Sequence, residues 1–166
     1  MLYLLDANVL IDANRDYYPL ERVPEFWGWL ENIGENGRAK IPLEVYEEIS
    51  DGKDDLAIWA KQEQIKTALL LQEEVDVSLV SQATDQGYAS DLTDDEVVKI
   101  GRDPFLIAYA LRDASNRCVV TTEVSKPSRS RANRHLPDVC RDHGVECFNT
   151  FEFTRALNFS TKWDSF

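Results

Sequence analysis

The sequence predicts an α/β fold: a three-layer α/β/α sandwich around a mostly parallel central sheet of four to five strands. Three observations carry this. Short apolar runs recur along the chain, at "LYLL", "AKI", "RCVVTT" and "VECF". Stretches with apolar residues at helical spacing separate them. At 166 residues the chain suits one domain with a sizeable core, expected over residues 1–158, with residues 159–166 as a C-terminal tail.

Taken in order, Leu2 to Leu5 reads as a buried strand, and Asn8 as the cap of a short helix over "VLIDAN". A loop, "RDYYPLER", follows. In "PEFWGWLENIGENG", Phe26, Trp27, Leu30 and Ile33 fall at helical spacing, with Gly34 or Gly37 as the stop. "AKI" is the second strand, and Pro42 sits where the next helix, "LEVYEEISD", begins. "DLAIWAKQEQIKTALLLQEE" reads as one longer helix, "VSLVSQATDQGYA" as another, and "DDEVVKIG" as a short helical turn. "DPFLIAYALRDAS" is a helix with Asp103 as N-cap and Pro104 at its first position. "RCVVTT" is the third strand, "LPDVCRDHG" a helix stopped by Gly144, "VECF" the fourth strand and "FEFTRAL" the start of a last helix. The tail "NFSTKWDSF" has no periodicity.

Hydrophobic residues make up 43% and charged residues 29% of the chain, the composition of an ordinary globular protein. No apolar run approaches the roughly 20 residues that span a bilayer. No basic segment precedes an apolar stretch at the N-terminus, so a cytoplasmic protein is expected. Cys118, Cys140 and Cys147 are an odd set without a CxxC, which fits reduced thiols. A zinc reading of His135, Cys140, His143 and Cys147 competes with a helical one. Leu136, Val139, Cys140 and His143 follow i, i+3, i+4, i+7, which makes Cys140 a core residue.

The net charge of −12 argues against loose, charge-driven binding to nucleic acid or anionic membrane. It leaves room for a nuclease whose acidic site holds divalent cations. One stretch runs the other way. "EVSKPSRSRANRH" sets Lys126, Arg129, Arg131 and Arg134 against the single acid Glu123. It reads as a flexible basic loop, either a solvated surface or a phosphate contact.

In parallel α/β sheets, ligands sit beyond the carboxyl ends of the strands, near the point where strand order reverses. Four acids fall at such places. Asp6 follows the first strand, Glu48 lies one turn into the helix after the second, Asp103 opens the "DPFLIAYA" helix, and Glu123 follows "VVTT". Singly, each has a plain structural explanation as a cap, a solvated helix residue or a loop charge. Asp6 is the hardest to explain so, because a carboxylate after "LYLL" must be hydrogen-bonded or coordinate something. Glu48 is preferred to Glu47 on helical geometry. Val45, Tyr46 and Ile49 share the inward face, Glu48 lies at its edge, and Glu47 points nearly opposite. Two carboxylates about 5 Å apart at an effective dielectric near 20 repel by roughly 3 kcal/mol. Four together need protons or cations. Mg²⁺ or Mn²⁺ suits such oxygen ligands, and can lower the pKa of a bound water and polarise a phosphoryl oxygen.

These pieces together resemble the PIN domains. The matching segments are "YLLDANVLI", "IPLEVYEEI" with Glu48, "RDPFLIAYA" with Asp103 and "CVVTTEV" with Glu123. "HLPDVCRDHGVECFNTFEF" resembles the C-terminal end of one uncharacterised PIN subfamily. The resemblance covers about Leu2 to Leu157, and its specificity lies in the order and spacing of the motifs. It implies a PIN-like fold and a Mg²⁺- or Mn²⁺-dependent endoribonuclease acting on RNA. It also implies a VapC-like toxin of a toxin–antitoxin pair, with a cognate antitoxin as partner. Carried over, Asp6, Glu48, Asp103 and Glu123 are the catalytic, metal-binding quartet. Thr121 is the hydroxyl two residues before the last acid, and Asn8 a supporting polar group. The family usually has Asp where this chain has Glu123. The added methylene changes how that carboxylate reaches a metal, directly or through water, which bears more on a second ion than on the first.

Two rival readings stand beside this one. A degenerate PIN module would keep the fold and act through protein binding. A phosphatase with a nucleophilic Asp6 would be expected to show D-x-D, where this chain has Asp6-Ala7-Asn8. The sequence leaves open whether "EFWGWL" and "KWDSF" are core, homodimer contact or antitoxin groove. The triplet Asp-Ala-Asn also recurs at Asp12-Ala13-Asn14, where no strand presents it, and this second copy is expected to be chemically unrelated to the first.

Overall fold

Leu2–Leu5 forms β1, the strand around which the sheet is built. β1 pairs in parallel with β2 (Ala39–Lys40) on one side and with β3 (Arg117–Val120) on the other. β3 pairs in parallel with β4 (Glu146–Phe148). The order is therefore β2-β1-β3-β4, all parallel. The structure, a computed structural model, describes residues 1–165. Among these, ten α-helices accompany the four strands, and together they make the α/β sandwich expected from the alternation.

The helices are α1 (Ala7–Asp12), α2 (Pro24–Glu35), α3 (Leu43–Ser50), α4 (Asp55–Ala60) and α5 (Glu63–Leu69), followed by α6 (Val77–Gly87), α7 (Asp94–Ile100), α8 (Asp103–Leu111), α9 (Leu136–Asp142) and α10 (Thr150–Ala156). A π-helical turn, Ala13–Tyr17, extends α1. β1 and β3 are buried along most of their length, and Leu4, Leu5, Val119 and Val120 are fully buried. No described helix is long and apolar enough to cross a membrane.

Four details differ from what the sequence predicts. Asp6, not Asn8, occupies the N-cap position of α1, and Asn8 stands exposed in its first turn. Arg102, not Asp103, is the N-cap of α8, so Asp103 is its first helical residue and Pro104 its second. The single long helix expected from residue 55 onward is two. Gln62 is extended (ψ 134°) between α4 and α5. Leu70 then leaves the helix to bridge Ile41 in parallel, with Ile41 N–H donating to Leu69 O and Leu71 N–H to Ile41 O. That pairing is a tertiary demand which local helical spacing does not register.

The aromatic stretches are largely internal. Phe26, Trp27 and Trp29 are buried, and Trp163 packs its ring against Gly28 of α2. Trp163 lies in a 3-10 turn, Trp163–Ser165, within the tail; Phe166 is outside the described residues. Gly144 ends α9 at φ +69°, the left-handed stop its position predicts. Gly87 allows α6 and α9 to touch, since a Cβ there would stand 2.6 Å from Val139 Cγ1. That close approach places Tyr88, the next residue, beside the start of α8.

Candidate active site

The chain leaves β1 for β2 on one side and later enters β3 on the other, so strand order reverses between β1 and β3. The residues just past those two strands are Asp6 and Thr121. Asp6 N–H donates to Val120 O at 2.9 Å, one rung beyond the paired segment. Both side chains are buried, 8% and 1% exposed. Thr121 Oγ1 donates to Asp6 Oδ2 at 2.8 Å, and accepts from Glu123 N–H at 3.2 Å. One hydroxyl therefore holds the first acid and shapes the turn that carries the last.

Asp103 reaches the same place from the first position of α8, where the helix dipole favours an anion. Its Oδ2 accepts from Tyr88 Oη at 3.3 Å. Burial, then the charges of Asp6 and Glu123, push the Asp103 carboxyl up to about 8, with Glu48 adding to the effect. Burial likewise pushes Asp6 up to about 6. The Thr121 hydrogen bond opposes this, and the charges of Glu123 and Glu48 reinforce it. All four predicted acids thus act on one electrostatic neighbourhood.

They are not equivalent. Asp6 and Asp103 are the buried pair. Glu48 is exposed on α3, and its neighbour Glu47, which lines one cavity with it, pairs with Arg102 Nη1 at 3.1 Å. Glu123 is half-buried and engaged: its Oε2 accepts from Leu136 N–H, the first residue of α9, at 2.7 Å. The unsatisfied N–H groups of a helix start attract a carboxylate in this way. His135 Nδ1 lies 3.9 Å from the same oxygen, buried and without a hydrogen-bond partner among the described residues.

The four basic residues divide into two pairs. Arg131, at φ +53°, clamps both oxygens of Glu96 at 2.8 Å and Asp91 Oδ1 at 2.7 Å. Arg134 donates to Gly87 O and pairs with Asp142. These two hold the loop to α6, α7 and α9. Lys126 and Arg129 keep exposed side chains with no ion pair among the described residues. The loop is also anchored through Asp138. Burial opposes ionisation there, but hydrogen bonds from Ser125, Lys126 N–H and Arg141 outweigh it and hold the carboxyl below its ordinary value. The basic loop, expected to be flexible, is therefore tied down at several points.

A cavity of about 350 Å³ opens beside the acids, lined by Tyr88, Lys99, Ile100, Asp103, Glu123, Arg129, Ala132, Asn133, Arg134 and His135. Tyr88 and Lys99 were not singled out by the sequence, because each reaches the site only through the packing of its helix. Cys140 is fully buried, as its helical spacing predicts.

The chemistry of the donor set suits a hard divalent cation: carboxylate oxygens, two of them crowded enough to resist ionisation. Asp6 and Asp103 are the first candidates to hold it, with Glu48 and Glu123 at the margin. Among the described residues, as the side chains stand, no three His, Cys, Asp or Glu groups converge closely enough to hold one ion.

These features define an α/β protein with buried carboxylates at the switch point of a parallel sheet. The chain belongs to the family described as Domain of unknown function (DUF4411), which it matches over residues 3–161, a span that includes all four acids. No curated protein and no solved structure is matched.

Proposed function

We propose that the protein is a Mg²⁺- or Mn²⁺-dependent endoribonuclease that hydrolyses RNA phosphodiester bonds. One observation carries the reading: Asp6 and Asp103, brought together at the switch point, are both held well above the ordinary carboxylate range by burial and by neighbouring acids. Carboxylates crowded there against their own charge are relieved by a divalent cation. Bound there, Mg²⁺ or Mn²⁺ supplies an activated water and polarises a phosphoryl oxygen. The chain's own part is to hold the site in shape. Thr121 fixes the Asp6 carboxylate, Tyr88 that of Asp103, and Glu123 locks the start of α9 beside them. The basic loop offers Lys126 and Arg129 to RNA, while Arg131 and Arg134 support its course. The toxin role, a cognate antitoxin, a homodimer and cytoplasmic residence rest on the sequence alone, the first two on the PIN resemblance.

A second reading, a degenerate module acting through protein binding, draws on a specific observation. Glu123 already commits one oxygen to Leu136 N–H, and no three donors converge among the described residues. Incubating a mixed pool of labelled RNA with the protein in millimolar Mn²⁺ or in EDTA separates the two. Cleavage in Mn²⁺ that Asp103→Asn abolishes supports the nuclease. Intact RNA under all conditions would leave the binding module as the better account.

A further inference from the structure

The cavity beside the acids carries charges of both signs, and its cations do not come from the basic loop alone. Lys99 projects from α7, and Arg129 from the loop opposite. Both are exposed, and neither forms an ion pair among the described residues. Lys99 donates instead to the amide oxygen of Asn133, a neutral partner that leaves its charge uncompensated. Their neighbours behave differently: Arg131 is neutralised by Glu96 and Asp91, and Arg134 by Asp142. In a chain of net charge −12, two unpaired cations at the mouth of an acid-bearing cavity call for an anion from outside.

We infer that Lys99 and Arg129 form a phosphate subsite that holds one nucleotide of a single-stranded RNA beside Asp103 and Glu123. The inference rests on the nuclease reading for its ligand class. A volume of about 350 Å³ lies at the small end of ligand pockets, which fits one nucleotide unit rather than a duplex. The chemistry also favours such a subsite, because carboxylates not covered by a cation repel a phosphodiester, and cations facing the flanking phosphate ease the strand's approach. The stitching of the loop to α7, through Arg131 to Glu96 and Lys99 to Asn133, keeps the two cations on either side of one opening.

The test is binding of a fluorescent six-nucleotide oligouridylate in EDTA, where no metal-dependent cleavage occurs, across a series of NaCl concentrations. Each phosphate contact on a single strand contributes about −0.7 to the slope of log K against log salt. The Lys99→Met/Arg129→Met double variant should therefore bind more weakly, with a slope shallower by about 1.4, and should melt as the wild type does. Arg129→Lys should keep most of the slope. Arg155→Met, exposed on α10 and remote in sequence from the cavity, should keep all of it. A wild-type slope in the double variant, an equal loss in Arg155→Met, or no binding by the wild type would each overturn the subsite. RNA bound with the predicted slope loss but never cleaved in Mn²⁺ would overturn the nuclease reading and leave the subsite standing.

Discussion

The hydroxyl of Thr121 donates to the carboxylate of Asp6 across the point where the sheet reverses its strand order, at 2.8 Å, between two buried side chains. The same oxygen accepts Glu123 N–H. Thr121→Val keeps the shape and removes both bonds, leaving a buried acceptor and a backbone donor with one partner fewer. A loss of about 1–3 kcal/mol is expected from chemical denaturation. Thr121→Ser should retain most of the stability and of any RNA cleavage. Equal stability of the valine and serine variants would show that the hydrogen bond does not hold the site.

The raised carboxyls set the pH dependence of the metal-free protein. Asp103 sits at about 8 and Asp6 at about 6 in the fold, against about 3.9 in an unfolded chain. An acid with a raised folded pKa binds protons better folded than unfolded, so the fold gains stability as pH falls through that value. His143 works in the opposite direction, because burial lowers its pKa and protonation near its ordinary 6.5 then costs stability. Carboxylates held low, such as Glu96 at about 2 through its Arg131 bond, matter only below about pH 5. Buried Cys118 and Cys140, whose thiols are also pushed up, favour the fold in the same direction as pH falls through the unfolded thiol's value of about 8.5. Between about pH 8.5 and 7, Asp103 therefore supplies most of the change and the cysteines the rest. In EDTA the melting temperature should rise as pH falls across that interval in the wild type and rise clearly less in Asp103→Asn. Mn²⁺ should raise melting most at the alkaline end, by an amount equivalent to about 2.7 kcal/mol at a hundredfold excess over its dissociation constant. A level wild-type profile, with or without Mn²⁺, would contradict the crowding of Asp6 and Asp103.

The two Asp-Ala-Asn triplets separate by their partners. Asp6 ends a buried strand, whereas Asp12 accepts from Arg15 Nη2 at 2.8 Å near the surface. Asn14 ties two segments together, since its Oδ1 accepts Leu20 N–H and its Nδ2 reaches Asp55 Oδ1, both at 3.0 Å. Asp12→Asn should shift stability by less than about 0.5 kcal/mol and leave cleavage near wild type. Asp6→Asn should abolish cleavage and leave the metal-free fold as stable or more so, since one crowded charge is gone. If Asp12→Asn were folded and as inactive as Asp6→Asn, the site would lie elsewhere.

What the sequence made legible was whatever a strand end announces. Asp6 follows an apolar run directly, so its place could be read locally; Thr121, read as part of the strand, was singled out only by the family resemblance. Charges whose partners lie far along the chain were not legible. Arg131 looked like a free cation because Glu96 and Asp91 are 35 and 40 residues away. The break at Gln62 was invisible because nothing near it is glycine or proline, and the exit at Leu70 was invisible because its partner, Ile41, lies far back along the chain. Asp103 was placed one position early because a carboxylate before Pro104 resembles a cap, yet its side chain bonds to Tyr88 rather than to its own helix.

Tyr88 gives the sharpest test of how the site is tuned. Its ring is buried at the end of α6, and its hydroxyl is the side-chain donor to Asp103 Oδ2, at 3.3 Å. That bond favours the ionised carboxylate and works against burial and the neighbouring charges, which push it up to about 8. Tyr88→Phe removes only the oxygen. The Asp103 pKa should then rise further, so a larger share of the protein carries the protonated form at neutral pH, where a carboxylic acid is a poor cation ligand. At limiting Mn²⁺, the acid limb of the kcat/KM profile for RNA cleavage should move to higher pH. Activity should be regained by raising either pH or Mn²⁺, while KM for RNA at saturating metal stays near wild type. A purely packing role would lower the melting temperature and leave the limb in place. An unmoved limb in a well-folded Tyr88→Phe protein would therefore show that Tyr88 does not govern Asp103.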